Sequence, residues 1–85
     1  MKQKVAKVLL QNGLEARPVA MLVQVANRYK SSVYLETEDR KVNAKSIMGM
    51  MSIGLPNCKE ITVITQGEDE QEAIDAIEQF LSKGE

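Results

Sequence analysis

No histidine occurs in the 85 residues, so no imidazole nitrogen is on hand as a nucleophile or a metal ligand. Cysteine occurs once, at Cys58. A single thiol excludes an internal disulfide and, with histidine missing, a conventional zinc site, and Cys58 reads as an ordinary loop thiol. No apolar run is long enough for a membrane span, and the opening MKQKVAKVLL scatters charges among its apolar residues, unlike a secretory leader. A cytoplasmic location is expected. An excess of charge is also missing: 11 Lys and Arg stand against 12 Asp and Glu, for a net charge of −1. That balance offers no basic footprint for nucleic acid and no polybasic patch for a membrane, so direct binding to either is not expected.

What is there is short and regularly patterned. A chain of this length forms one domain, residues 1–85, with a single small core, because it buries only somewhat over about 60% of the surface its unfolded form exposes. An elaborate enclosed active site does not fit in such a molecule, and no cofactor is expected. Residues 2–9 are β-favourable and predict an opening strand. Apolar residues Val19, Ala20, Val23 and Ala26 recur at helical spacing and predict a helix from about Ala16 to Asn27. SVYLET and KVNA, separated by the charged EDR, read as a hairpin with Val33 and Leu35 on one face. Glu36, Glu38, Asp39 and Arg40 form its solvated tip. SIMGMMS predicts a short helix with Ser46 as its N-cap. EITVITQ reads as a strand with Ile61 and Val63 on one side and Thr62 and Ile64 on the other. GEDEQEAIDAIEQFL opens with acids that suit a helix dipole and continues with Ala73, Ile74, Ile77, Phe80 and Leu81 as one apolar stripe.

The order βαββαβα predicts an α+β open-faced β-sandwich, with a four-stranded antiparallel sheet and three helices on one face. Its other face is left to water, which suits a module read by partners at its surface. Within it, GLEARP looks like a loop entering a helix and arranged for an anion. Gly13 lets the chain turn, Pro18 suits a first helical turn, and Arg17 brings a fixed fork of donors. Glu15 runs against that reading, since its carboxylate repels an anion.

GLEARPVAMLVQVANRY, KVNAKSIMGMMSIG and EITVITQGEDEQEAIDAIEQF resemble the HPr family, the small phosphocarriers of the sugar phosphotransferase system, over essentially the full chain. The first block is similar to the family's active-site signature, in which His-Ala-Arg-Pro follows a glycine and an apolar residue. The second is similar to its regulatory signature, a serine within Lys-Ser-Ile-Met-Gly. In the carriers the histidine relays a phosphoryl group; here Glu15 stands at the matching position. The resemblance is to the branch that keeps the serine and replaces the histidine, the HPr-like regulators of carbon catabolite repression in bacilli. Members of that branch commonly have glutamine where this chain has Glu15.

The resemblance implies that HPr kinase/phosphorylase phosphorylates Ser46 with ATP, and that the product is a corepressor of catabolite control protein A. It implies a non-enzymatic regulator; the alternative is a diverged phosphocarrier that uses Glu15. A phosphate on an N-cap hydroxyl meets unsatisfied backbone N–H groups, which stabilise it by about 0.3–1 kcal/mol, so the modification leaves the fold in place. It adds up to about two negative charges beside Ile47, Met48 and Met51, an apolar and adaptable cluster. Partner binding is therefore expected at Glu15, Arg17, Ile47, Met48 and Met51. Arg17 is either a repressor contact or a partner for phosphoserine; Glu15 either pairs with Arg17 or partly imitates a phosphorylated histidine. Exchange of the opening strand about QNG is the expected route to a homodimer.

Overall fold

The computed structural model describes residues 1–9, 16–38, 40–52 and 60–83. Seven elements follow one another: β1 (Lys2–Lys7), α1 (Ala16–Ala26), β2 (Ser32–Glu36), β3 (Lys41–Asn43), α2 (Ile47–Met51), β4 (Glu60–Gln66) and α3 (Glu70–Lys83). The four strands form one antiparallel sheet in the order β1-β4-β2-β3, so β4 is central although it is the last strand in sequence.

Alternation assigns the two faces. Ala6, Val33, Leu35, Val42, Ile61 and Val63 point to the helices and are buried. They share one core cluster with Val19, Leu22 and Ala26 of α1, Met50 of α2, and Ala73, Ile74, Ile77, Phe80 and Leu81 of α3. Burying a large side chain of this kind is worth about 1.5–3 kcal/mol, and the apolar stripe of α3 alone supplies four of them. The opposite face carries Gln3, Ile64, Tyr34 and Asn43 in register across β1, β4, β2 and β3. Ile64 stays nearly covered there, flanked by Gln3 and Tyr34, and the Lys41 ammonium stands 4.9 Å from the centre of the Tyr34 ring.

Three expectations are refined. The opening strand ends at Lys7 and not at residue 9, because Val8 leaves the β4 register to bury itself completely and the Leu9 N–H donates to the Leu81 carbonyl of α3 at 2.8 Å. The buried face of α1 is turned toward Leu22, which is fully covered, while Ala20 and Val23 are only half-buried. Arg40, expected as a solvated tip residue, also donates from Nη1 to the Ser52 carbonyl at 3.3 Å, which ties the hairpin to the end of α2. Asp39 lies outside the described residues.

Candidate functional site

β3 ends at Asn43 and the chain turns at once into α2. The Asn43 side-chain Oδ1 accepts the Lys45 N–H at 2.8 Å, and the Asn43 carbonyl accepts the Ser46 N–H at 3.0 Å. Lys45 reaches back and donates from Nζ to the Tyr29 carbonyl at 2.7 Å, which fixes this turn against the chain leaving α1. Ser46 then sits in the extended conformation of an N-cap, at φ −105° and ψ 114°, as its sequence context predicts. Its Oγ accepts the Gly49 N–H at 3.3 Å, and its carbonyl accepts the Met50 N–H at 2.9 Å.

The cap bond is long, and it uses the hydroxyl as an acceptor. Among the described residues the Ser46 O–H has no protein acceptor, so its proton is available to an external base. The other described serines with hydrogen-bonded hydroxyls differ. Ser31 is buried and donates to Asp69, Ser52 donates to the Gly49 carbonyl at 2.6 Å, and Ser82 donates to the Gln79 carbonyl. A Cβ at Gly49 would lie 3.5 Å from the Ser46 Oγ, an ordinary contact, so the part of Gly49 in the cap is its backbone N–H.

The apolar residues beside Ser46 divide sharply. Met50 faces the core and is fully buried, whereas Ile47, Met48 and Met51 are exposed by 49%, 84% and 53%. A helix of one and a half turns thus presents three large apolar side chains to water, an arrangement that packing within the chain does not require. Met21, on α1 against which α2 packs, is exposed as well. Arg17 is exposed at the start of α1, and among the described residues no carboxylate pairs with it. Glu15, Gly13 and Cys58 lie outside the described residues.

Sequence reasoning missed a second cluster, at the joint where the α1–β2 and β4–α3 connections meet. The Asp69 carboxylate accepts the Lys30 N–H, the Ser31 N–H and the Ser31 hydroxyl, at 2.9, 2.9 and 2.5 Å. The Ser31 hydroxyl first, and the backbone donors with it, hold the Asp69 carboxyl down to about 2. No local signal marks this joint, because its partners stand 38 and 39 residues apart and the acids of GEDE also suit a helix start. Its donors are all occupied by Asp69, so it holds two connections together and offers no vacant binding group.

Comparison with known proteins agrees with this architecture. The family model for the HPr component of the phosphotransferase system, described as a phosphorylation site, matches residues 2–83. The chain is 49% identical to the HPr-like protein Crh of Halalkalibacterium halodurans over 83 residues, which cover 98% of this chain and 99% of that one. Among solved structures, the phosphocarrier HPr of Bacillus anthracis superposes with a TM-score of 0.91 at 44% identity, over 94% of this chain and 95% of that one. Crh of Bacillus subtilis, described as an intertwined dimer with a swapped domain, superposes with a TM-score of 0.78 at 49% identity, over 98% and 95% of the two chains. With its sheet order, its helices on one face and these matches over nearly its whole length, the chain belongs to the HPr family and is a Crh-like homologue within it.

Proposed function

We propose that this chain is a non-enzymatic regulator of carbon catabolite repression, switched by phosphorylation of Ser46. HPr kinase/phosphorylase is the modifying partner: its base takes the Ser46 hydroxyl proton as Oγ attacks the γ-phosphorus of ATP, and ADP leaves. Catabolite control protein A, a transcription factor, is the reader, so the chain acts on transcription without touching DNA. The observation that carries this reading is the pairing of a cap hydroxyl whose proton is free among the described residues with exposed Ile47, Met48 and Met51 in the same short helix. A phosphate there adds charge beside an adaptable apolar surface, and a partner that reads both distinguishes the modified chain from the unmodified one.

Arg17 supplies a further contact, as an exposed cation with no described acid beside it. Glu15 removes the phosphocarrier role, because a carboxylate is a poor substitute for imidazole in a relay of phosphoramidates. The reading places the protein in the cytoplasm and admits a homodimer formed by exchange of β1.

Two phosphorylation assays test it. With ATP and HPr kinase/phosphorylase, one phosphate is expected on Ser46, and Ser46→Ala abolishes it while keeping the fold, since loss of a cap costs about 0.5–2 kcal/mol. Label on Ser31, Ser52 or Ser82 instead sinks the assignment. With phosphoenolpyruvate and the general phosphotransferase enzyme, no label is expected; a hydroxylamine-sensitive label on Glu15 would establish the carrier alternative.

A further inference from the structure

We infer that Met48 and Met51 form an oxidation site, at which a hydroperoxide converts the exposed face of α2 from apolar to polar. The five methionines of the chain include two, Met48 and Met51, on the outward side of one five-residue helix, and a third, Met50, on its inward side. Met48 is 84% exposed and Met51 53%, and Met50 is at 0%. A thioether reacts through a sulfur lone pair, so the reaction needs open approach to sulfur and little else. No proton has to be removed first. The sulfur attacks one oxygen of hydrogen peroxide, the S–O bond forms as the O–O bond breaks, and the other oxygen leaves as hydroxide, which takes the proton from the sulfur-bound oxygen and becomes water. The sulfur is oxidised by two electrons to the sulfoxide, and the peroxide is reduced to water.

The product is a strong hydrogen-bond acceptor with a large dipole on a side chain that previously offered only polarisable apolar surface. Two such groups, one turn apart and beside Ile47, leave no continuous apolar area on this helix. The fold survives, because neither residue belongs to the core cluster and Met50, which does, is shielded. Sulfoxide reductases reverse the change, so the site is able to cycle. The effect on partner binding rests on the function proposed above; the reactivity of the site does not.

The experiment treats the full chain with a small excess of hydrogen peroxide and follows each methionine by peptide mapping. Met48, 84% exposed, is expected to gain oxygen ahead of Met51, with Met1 and Met21 oxidised as well at their exposures of 74% and 44%, and with Met50 at least about tenfold slower than Met48, as burial blocks approach to its sulfur. The oxidised chain should keep its circular dichroism spectrum and elute earlier from a hydrophobic-interaction column. The variant carrying Met48→Leu and Met51→Leu should lose most of that shift, keeping only the part due to Met1 and Met21. Oxidation of Met50 as fast as Met48, or unchanged retention once Met48 and Met51 are oxidised, overturns the inference. Binding of the Ser46-phosphorylated chain to catabolite control protein A, before and after peroxide, then reads the consequence: a loss of about tenfold or more is expected, restored by sulfoxide reductases. Absence of binding before peroxide tells against the proposed function, whereas mapping and retention still decide the oxidation site.

Discussion

Asp69 carries a burden out of proportion to its place in an acidic run. Three donors converge on its carboxylate, and its pKa of about 2 lies below the ordinary 3.8. The unfolded chain therefore holds this proton more tightly than the folded one. Its stabilisation is complete above about 3.8 and is lost as pH falls toward about 2. Asp69→Asn should lower the urea midpoint at neutral pH and show a much smaller loss on acidification than the parent, so the two curves converge near the bottom of that window. Parallel curves at all pH values would place the acid sensitivity elsewhere. Asp69→Ala should cost more at neutral pH, because it strands the Ser31 hydroxyl and two backbone N–H groups. None of this was legible beforehand: Ser46 is readable because a cap depends on its immediate neighbours, whereas Asp69 depends on donors 38 and 39 residues away. For the same reason Lys45 gave no sign of its bond to the Tyr29 carbonyl, 16 residues off.

Elements with a strong period were legible, and those decided at their ends were less so. The stripe of α3 is buried at all five expected positions, and β2 and β3 pair as the hairpin read from their turn residues. On α1 the expected Val19 and Ala26 are buried and Val23 packs against the core, but Leu22 is covered in place of Ala20, since a run as apolar as VAMLVQVA fits several faces and the packing of α3 and α2 chooses among them. The turn from β4 into α3 is tightly constrained. Gly67 holds φ at +149°, its N–H donates to the Glu70 carboxylate at 3.1 Å, and a Cβ built on it would lie 2.6 Å from the Ser31 Oγ and 2.7 Å from the Ser31 Cα. The second of those is backbone and has little room to retreat. Gly67→Ala should therefore destabilise the protein by about 1–3 kcal/mol, seen as a lower denaturant midpoint with an unchanged slope. A loss within a few tenths of Gly49→Ala, whose Cβ would meet only ordinary contacts, would show that the joint yields more easily than its geometry suggests.

For the molecule as a whole, the decisive pairing is that of β1 with β4, six residue pairs between the first strand and the last. Lys4 reinforces it from the edge by a 2.9 Å bond to Glu78 of α3. Every one of these contacts survives if β1 is lent to a second copy, so exchange changes the connection without changing the interface. A dilution series on a size-exclusion column should then show a dimer fraction that rises with concentration; a monomer at every concentration removes exchange from the account. Because Lys7 must meet Glu60 and Lys2 must meet Thr65, β1 is synthesised long before it has a neighbour. At about 5–20 residues per second it waits for several seconds on the ribosome, an extended segment with no partner. Its lysines discourage casual pairing with other strands during that time. A second newly made copy offers an equivalent β4, so the local concentration of fresh chains, together with the final contacts, bears on which β4 receives the strand.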